Sequence, residues 1–256
     1  MLVWLASYPR SGNHLLRTIL QRSFDLGSYD IYQKAARPID PKEAAVIGVR
    51  RFEDETTDEF VTAPVLADSR EEALDALAIL ETCPVIGRVV KRDVNVVTDL
   101  DELLQGAEDF VYPRQRRYAA DNMWTSASAD ALLPDMHRIV ASLPPAPSHM
   151  LWLLWGPPRK LPDMAFSMQD NLYIALYSVW DNEAEDAGHQ AWVTDHMRAL
   201  EARASGIQLA DENLGARPFR FLADDNFRRL EAIRSRRDPG GVFHSYMGVP
   251  SGGGAR

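Results

Sequence analysis

Apolar and polar positions follow two rhythms along this chain. Residues 2–7, LVWLAS, form a short apolar run that reads as a buried strand, and the turn-forming YPRSGN after it leads into HLLRTILQRSF. In that last run Leu15, Leu16, Ile19 and Leu20 fall on one helical face. The pattern weakens between residues 28 and 41, where Pro38 and Pro41 flank an acidic residue and mark a junction. Residues 1–40 are therefore expected to form a strand-loop-helix appendage.

Beyond the junction, AAVIGVR at 44–50 and FVTAPVL at 60–66 read as strands, and Ser69 with Glu72 forms a capping box. The helix it opens carries Ala73, Leu74, Leu77 and Leu80 and stops at ETCP. A second helix is expected over 128–143, with Pro134 tolerable in its first turn or at a kink, and PPAP ends it. HMLWLLW, DMAFSM and NLYIALYSVW follow as apolar strands, the last two joined by a tight turn at 169–171 that implies antiparallel pairing. A long helix is predicted over 183–205, burying Trp192, Met197 and Leu200 and ending at Gly206. The final helix is expected to start near Asn226, capped by Asp224 or Asp225, with Leu230 and Ile233 on its apolar face. Asp238-Pro239 and two glycines terminate it, and Phe243 is expected to return to the core. Strands crossed by helices without strict alternation predict an α+β fold, an antiparallel sheet covered by helices, over 41–250. The SGGGAR tail at 251–256 is expected to be disordered.

Charge narrows the partners. A net charge of −9 over 256 residues argues against a general nucleic-acid or anionic-membrane binder, because both need a positive field. The single cysteine, Cys83, has no internal disulfide partner and reads as a packed side chain. No run approaches the length of a membrane span and the N-terminus lacks a signal-peptide pattern, so the expected location is the cytoplasm. His189 and His196 share a helix face without a third ligand at zinc-like spacing, so they read as solvated histidines and no metal is expected. EDETTDE at 53–59 reads as a solvated loop, and RRLEAIRSRR as the charged outer face of a helix.

In the appendage, a strand feeding SYPRSGNHLLR into a helix points the amides of residues 11–14 at an anion. Arg10 adds charge, Ser11 and Asn13 add donors, and Gly12 permits close approach. The run WLASYPRSGNHLLR resembles the phosphosulfate-binding loop of the sulfotransferases, which implies 3′-phosphoadenosine 5′-phosphosulfate as a ligand. The nearest counterpart of the segment that holds the donor's 3′-phosphate is KRDVNVVTD, which lacks its proline and serine, and the GxxGxxK segment is missing.

From about Val61 onward the chain resembles the substrate side of the FAD-linked oxidases of the vanillyl-alcohol oxidase superfamily, in particular bacterial proteins with a berberine-bridge-enzyme-like C-terminus. The carriers are RYAADNMW, LPDMAFSMQDNLYIALYSVW and ADENLGARPFRFLADDNFRRLEAIRSRRDPGGVF, in that order. The resemblance implies FAD as cofactor, hydride transfer from a substrate C–H, and a side chain that takes the hydroxyl proton. It places the asparagine of a Tyr-x-Asn segment at Asn213, beside the flavin, with Asp211 where the tyrosine is expected. Asn226 is a second cofactor-side position, through capping or an interdomain hydrogen bond. Tyr173 and Tyr177 face one side of a strand and are the candidate base or substrate donors, with Tyr118 and Trp124 shaping a pocket. A tyrosine in an apolar strand also serves simply as core with its hydroxyl at the surface. No RSGGHS-like flavin cradle and no GxGxxG occur in the sequence.

Three readings follow. The first is the substrate-side half of an FAD-dependent oxidoreductase acting on a small hydroxylated molecule, inactive alone or completed by a separate flavin-binding chain. The second is a non-catalytic binding module that docks on such a chain or on its own copy through an exposed apolar surface. The third is a degenerate sulfotransferase.

Overall fold

The computed structural model describes residues 46–51, 53–54, 56–62, 69–82, 86–89, 116–154 and 168–243. The appendage, Cys83 and residues 155–167 lie outside them, so neither the phosphosulfate-loop reading nor the DMAFSM strand is addressed. The described elements in chain order are β1 (Val46–Arg51), β2 (Thr57–Thr62), α1 (Arg70–Leu77), β3 (Arg117–Thr125), α2 (Ala129–Ala141), β4 (His149–Leu154), β5 (Leu172–Trp180), α3 (Asp186–Leu200) and α4 (Asp224–Arg237). The strands form one five-stranded sheet in the order β2-β1-β4-β5-β3, every pair antiparallel. The α+β architecture with helices packed on an antiparallel sheet is thus the one the apolar rhythm predicts.

One face of that sheet is buried under α2 and α3. Antiparallel partners share a face, so the register aligns Val49, Met150 and Leu176 in one row and Trp152, Ile174 and Met123 in the next. Leu132, Met136 and Ile139 of α2 and Val193, Met197 and Leu200 of α3 close over them in a single cluster. Each such side chain contributes about 1.5–3 kcal/mol on burial, and these residues hold the sheet to its helices. A smaller cluster of Ile207, Leu214, Phe221 and Leu222 forms beside it, with Phe227 and Leu230 of α4 packed against it.

The departures from expectation have local causes. The apolar rhythm does not mark β3 as a strand, because Asp121 and Asn122 interrupt it and both residue types are poor strand formers. β5 pairs with β4 on one side and β3 on the other. β2 begins at Thr57, earlier than the 60–66 run suggests, since its register is set by pairing with β1. Ser69 caps α1 as expected, accepting from the Glu72 amide at 3.2 Å, but the helix tightens into a 3-10 turn at Ala78–Thr82. Pro134 sits inside α2, in its second turn. The single helix expected over 183–205 is divided into a 3-10 turn at Glu183–Glu185, α3, and a second 3-10 turn at Glu201–Arg203. Trp192 is only half-buried, and its indole N–H donates to Ser142 Oγ at 3.1 Å.

Corrections also fall on the C-terminal segment. α4 starts at Asp224 with Ala223 as N-cap, so Asp224 and Asp225 act from the first turn, where carboxylates favour the helix dipole. Ile233 is exposed on the outer face. Phe243, expected in the core, is 74% exposed. Asp238 holds it there, accepting the Val242 and Phe243 amides at 2.8 Å each. The Phe243 amide is the main reason that the Asp238 carboxyl lies below its usual pKa. His189 and His196 are not free in solvent: His189 stacks on Trp180 and its Nδ1 meets Ser178 Oγ at 2.7 Å, while His196 Nε2 meets Ser142 Oγ at 2.8 Å. Among the described residues no His/Cys/Asp/Glu group is arranged to hold a metal ion, and no helix is long and apolar enough to cross a membrane.

Candidate functional site

The face of the sheet turned away from α2 and α3 carries three rows of side chains. Leu153, Tyr173 and Trp124 make the first, Leu151, Ala175 and Asn122 the second, and Arg50, His149, Tyr177 and Ala120 the third. Tyr173 and Tyr177 share this face, as strand alternation requires. Between them the strand presents only the methyl group of Ala175, and the space above it is taken by Asp211. Both phenols donate to the same carboxylate oxygen, Asp211 Oδ2, at 2.9 Å from Tyr173 and 2.8 Å from Tyr177. Tyr173 and Asp211 are buried, whereas Tyr177 is half-buried.

Asp211 reaches this position because the chain is fastened to the outer edge of β3. After α3, Ser205 donates to the Trp124 carbonyl at 2.8 Å and Trp124 donates to the Gly206 carbonyl at 2.7 Å, a bridge that extends the sheet. Gly206 passes so close to Met168 and to the Arg220 carbonyl that a Cβ would lie 2.3 Å from Met168 Cγ and 2.9 Å from that oxygen, which explains the glycine. The next step is the side chain of Asn122. Its oxygen accepts the Gln208 amide at 2.7 Å, and its amide donates to the carbonyls of Gln208 at 2.9 Å and Asp211 at 2.7 Å. The 3-10 turn Leu209–Asp211 is thereby pinned over the sheet with the Asp211 carboxylate turned towards the phenols.

Asp121, one residue away, points to the other face and anchors the far end of the same loop. Arg217 Nε donates to Asp121 Oδ2 at 2.9 Å, Arg217 Nη2 meets Asp121 Oδ1, and Nη2 also reaches the Asn122 carbonyl at 2.7 Å. Asn213 donates to Asp121 Oδ2 at 3.2 Å and to Thr194 Oγ1 of α3 at 2.9 Å. Arg217 and Asp121 are both buried. A buried ion pair of this kind adds little net stability but heavily penalises any arrangement that separates the two charges. It therefore fixes where the loop between α3 and α4 crosses β3.

Two aromatic contacts flank the carboxylate. Trp124 packs on Tyr173 with ring centroids 5.0 Å apart, and His149 stacks on Tyr177 at 4.5 Å and 18°. His149 Nδ1–H donates to the Pro147 carbonyl at 2.8 Å. Burial pushes the His149 pKa down to about 4; the hydrogen bond to Pro147 opposes this and the nearby Arg50 charge adds to it, so the ring is neutral at pH 7.

Of the residues singled out from sequence, the structure brings Tyr173, Tyr177 and Trp124 together. Tyr118 lies at the other end of β3, 58% exposed and beside Arg117, Trp180 and Asp186. Six residue steps along the strand, about 20 Å, separate it from Trp124. Asn213 faces the Asp121 network, on the other side of the loop from the phenols. Asn226 is in the first turn of α4, partly buried. Arg10, Ser11, Gly12 and Asn13 lie outside the described residues. Asp211, Asn122 and His149 belong to the same site without being singled out by the sequence as site residues. Only Asp211 carried a signal, as the acid standing where a tyrosine was expected.

No protein-family model matches the chain. It is similar to the FAD-linked oxidoreductase janO of Penicillium janthinellum, 24% identical over 69% of this chain and 40% of the relative, and to penO of Penicillium crustosum, 26% identical over 52% and 30%. Solved structures with the same fold include 6-hydroxy-D-nicotine oxidase from Arthrobacter nicotinovorans, with a TM-score of 0.62, 14% identity and coverage of 91% of this chain and 51% of that one. Physcomitrella patens BBE-like 1 aligns with a TM-score of 0.58, 11% identity and coverage of 83% and 49%. The likeness to FAD-linked oxidases read in the sequence thus holds in both sequence and fold. The chain spans 30–40% of the length of these curated relatives and about half of these solved ones.

Proposed function

We propose that this chain is the substrate-side portion of an FAD-dependent oxidoreductase that oxidises a small hydroxylated molecule, with Asp211 as the final proton acceptor and Tyr177 as the phenol through which the proton passes. The observation that carries this reading is the convergence of two phenols on one carboxylate oxygen at the position where a Tyr-x-Asn segment was expected. The phenols, carboxylate, indole and aliphatic groups of this face suit a flat aromatic ring and an alcohol, so the residues fit the substrate side of a flavin. No contact to the cofactor's pyrophosphate is assigned to them. Asp211 and Tyr177 would meet the bound cofactor and substrate, and a flavin-binding segment, separate chain or second copy would complete the site. When bound, FAD takes up the hydride from the substrate carbon.

The protein's own part is the proton. Tyr177 is the less buried of the two tyrosines, and the proposed path brings the substrate hydroxyl to it. As the C–H bond breaks, the substrate hydroxyl gives its proton to the Tyr177 oxygen while Tyr177 passes its own proton to Asp211 Oδ2. Asp211 begins as a carboxylate and ends as the acid, so phenol and charge are both accounted for. Tyr173 remains a donor to the same oxygen and fixes its lone pairs. Aligned donors and acceptors of this kind lower a barrier because they need no reorganisation.

The test starts with the full chain incubated with FAD, freed of unbound cofactor and scanned for flavin absorption. Anaerobic addition of sugars and aryl alcohols should then bleach the flavin. Asp211→Asn and Tyr177→Phe should slow the bleaching by about 10²–10⁴-fold while the flavin stays bound. A colourless protein that no alcohol substrate affects would favour the binding-module reading, and tight uptake of 3′-phosphoadenosine 5′-phosphosulfate without flavin the sulfotransferase one.

A further inference from the structure

His149 is a buried imidazole with a defined place in the sheet and no role in the proton path described above. It occupies β4 directly opposite Tyr177 of β5, and on its other side it faces Arg50 of β1. Its ring lies nearly parallel to the Tyr177 ring at 4.5 Å. The Nδ1–H bond to the Pro147 carbonyl, 2.8 Å long, fixes the ring's rotation because that carbonyl belongs to the turn just before β4. A phenol at the end of a flexible χ1/χ2 lever is aimed by whatever packs against its face. Among the described contacts, Trp124 packs against Tyr173 and His149 against Tyr177.

We propose that His149 is a positioning residue for Tyr177: anchored on Pro147 and stacked on the phenol, it holds the Tyr177 hydroxyl on Asp211. The idea rests on the proton path through Tyr177 for its catalytic meaning, but its geometric content is independent of any cofactor. It makes the two tyrosines inequivalent. Tyr173 is locked by deep burial under Trp124, whereas Tyr177, half-buried, depends on the His149 stack for its aim.

The experiment uses the full chain labelled with ¹³Cζ-tyrosine, without flavin or substrate, and assigns the two resonances from Tyr173→Phe and Tyr177→Phe. His149→Ala should move the Tyr177 signal towards the position of free tyrosine, while the Tyr173 signal stays in place. His149→Phe, which keeps the stack, should restore the Tyr177 signal; His149→Asn, which retains a donor for Pro147 but no ring, should not. A Tyr177 signal indifferent to His149→Ala overturns the proposal, as do equal shifts of both tyrosines or a failure of His149→Phe to rescue. If His149→Ala does not fold, the contrast between His149→Phe and His149→Asn decides alone. In flavin-loaded protein that turns over, His149→Ala should lower kcat by about 10–100-fold with KM nearly unchanged and have no further effect in a Tyr177→Phe background. The expected spectra without turnover would leave His149 as the aim of Tyr177 and refute the oxidoreductase reading; turnover without the expected spectra would refute the role of His149.

Discussion

At the residue scale, buried polar groups decide the character of this protein. Asp211, at the position where the likeness to FAD-linked oxidases implies a tyrosine, accepts hydrogen bonds from two phenols of β5. His149 shows how burial sets a protonation state, and its depressed pKa has a consequence for stability. In the folded chain it titrates near pH 4, against an ordinary value of 6.5. The unfolded chain therefore binds the proton first as pH falls. The contribution of His149 is whole above pH 6.5 and is lost progressively between 6.5 and about 4, on the order of 3 kcal/mol in all. Urea unfolding at pH 7 and pH 5 should show the native protein losing roughly 2 kcal/mol more than His149→Phe over that interval; equal losses would mean that His149 is not held neutral by the fold.

At the element scale, β3 carries the site. It is an edge strand whose neighbouring residues Asp121 and Asn122 point to opposite faces and grip opposite ends of one loop. Asn122 makes three hydrogen bonds to the backbone of that loop, each worth about 0.5–1.5 kcal/mol net. Asn122→Ala should cost roughly 2–4 kcal/mol and release residues 208–211 first. Amide hydrogen exchange is the check: protection should fall in that loop and stay unchanged in β4. Loss of protection spread evenly over the sheet would contradict the clamp.

At the scale of the whole molecule, the described residues hold one large core between sheet and helices and a smaller one under α4. The smaller core is built from four buried residues that join the larger one through the Asp121–Arg217 pair and the Asn122 clamp. Units with fewer buried apolar contacts open at lower free energy. In native-state exchange under mild denaturant, residues 207–237 should open as a group before β3, β4 and β5. Simultaneous opening of all of them would show one cooperative unit instead. Such a hierarchy suits the proposed function, since the loop that delivers Asp211 belongs to the unit with the smaller core.

Apolar rhythm alone was enough to predict the central strands, the helix that packs across them and the shared face of Tyr173 and Tyr177, because periods of two and 3.6 residues report which side of an element is buried. The family likeness rested instead on particular stretches, RYAADNMW, LPDMAFSMQDNLYIALYSVW and ADENLGARPFRFLADDNFRRLEAIRSRRDPGGVF. The apolar rhythm did not reveal β3, whose buried Asp121 and Asn122 look like loop residues until their partners arrive from 86–96 positions further along the chain. Nor did it reveal that Asp211 meets two phenols or that His149 stands against one of them. Those pairings come from strand register and from a loop wrapped around a sheet edge. A hydrogen bond between distant residues leaves no period in the sequence, so the contacts on which the proposed proton path rests became visible only in three dimensions.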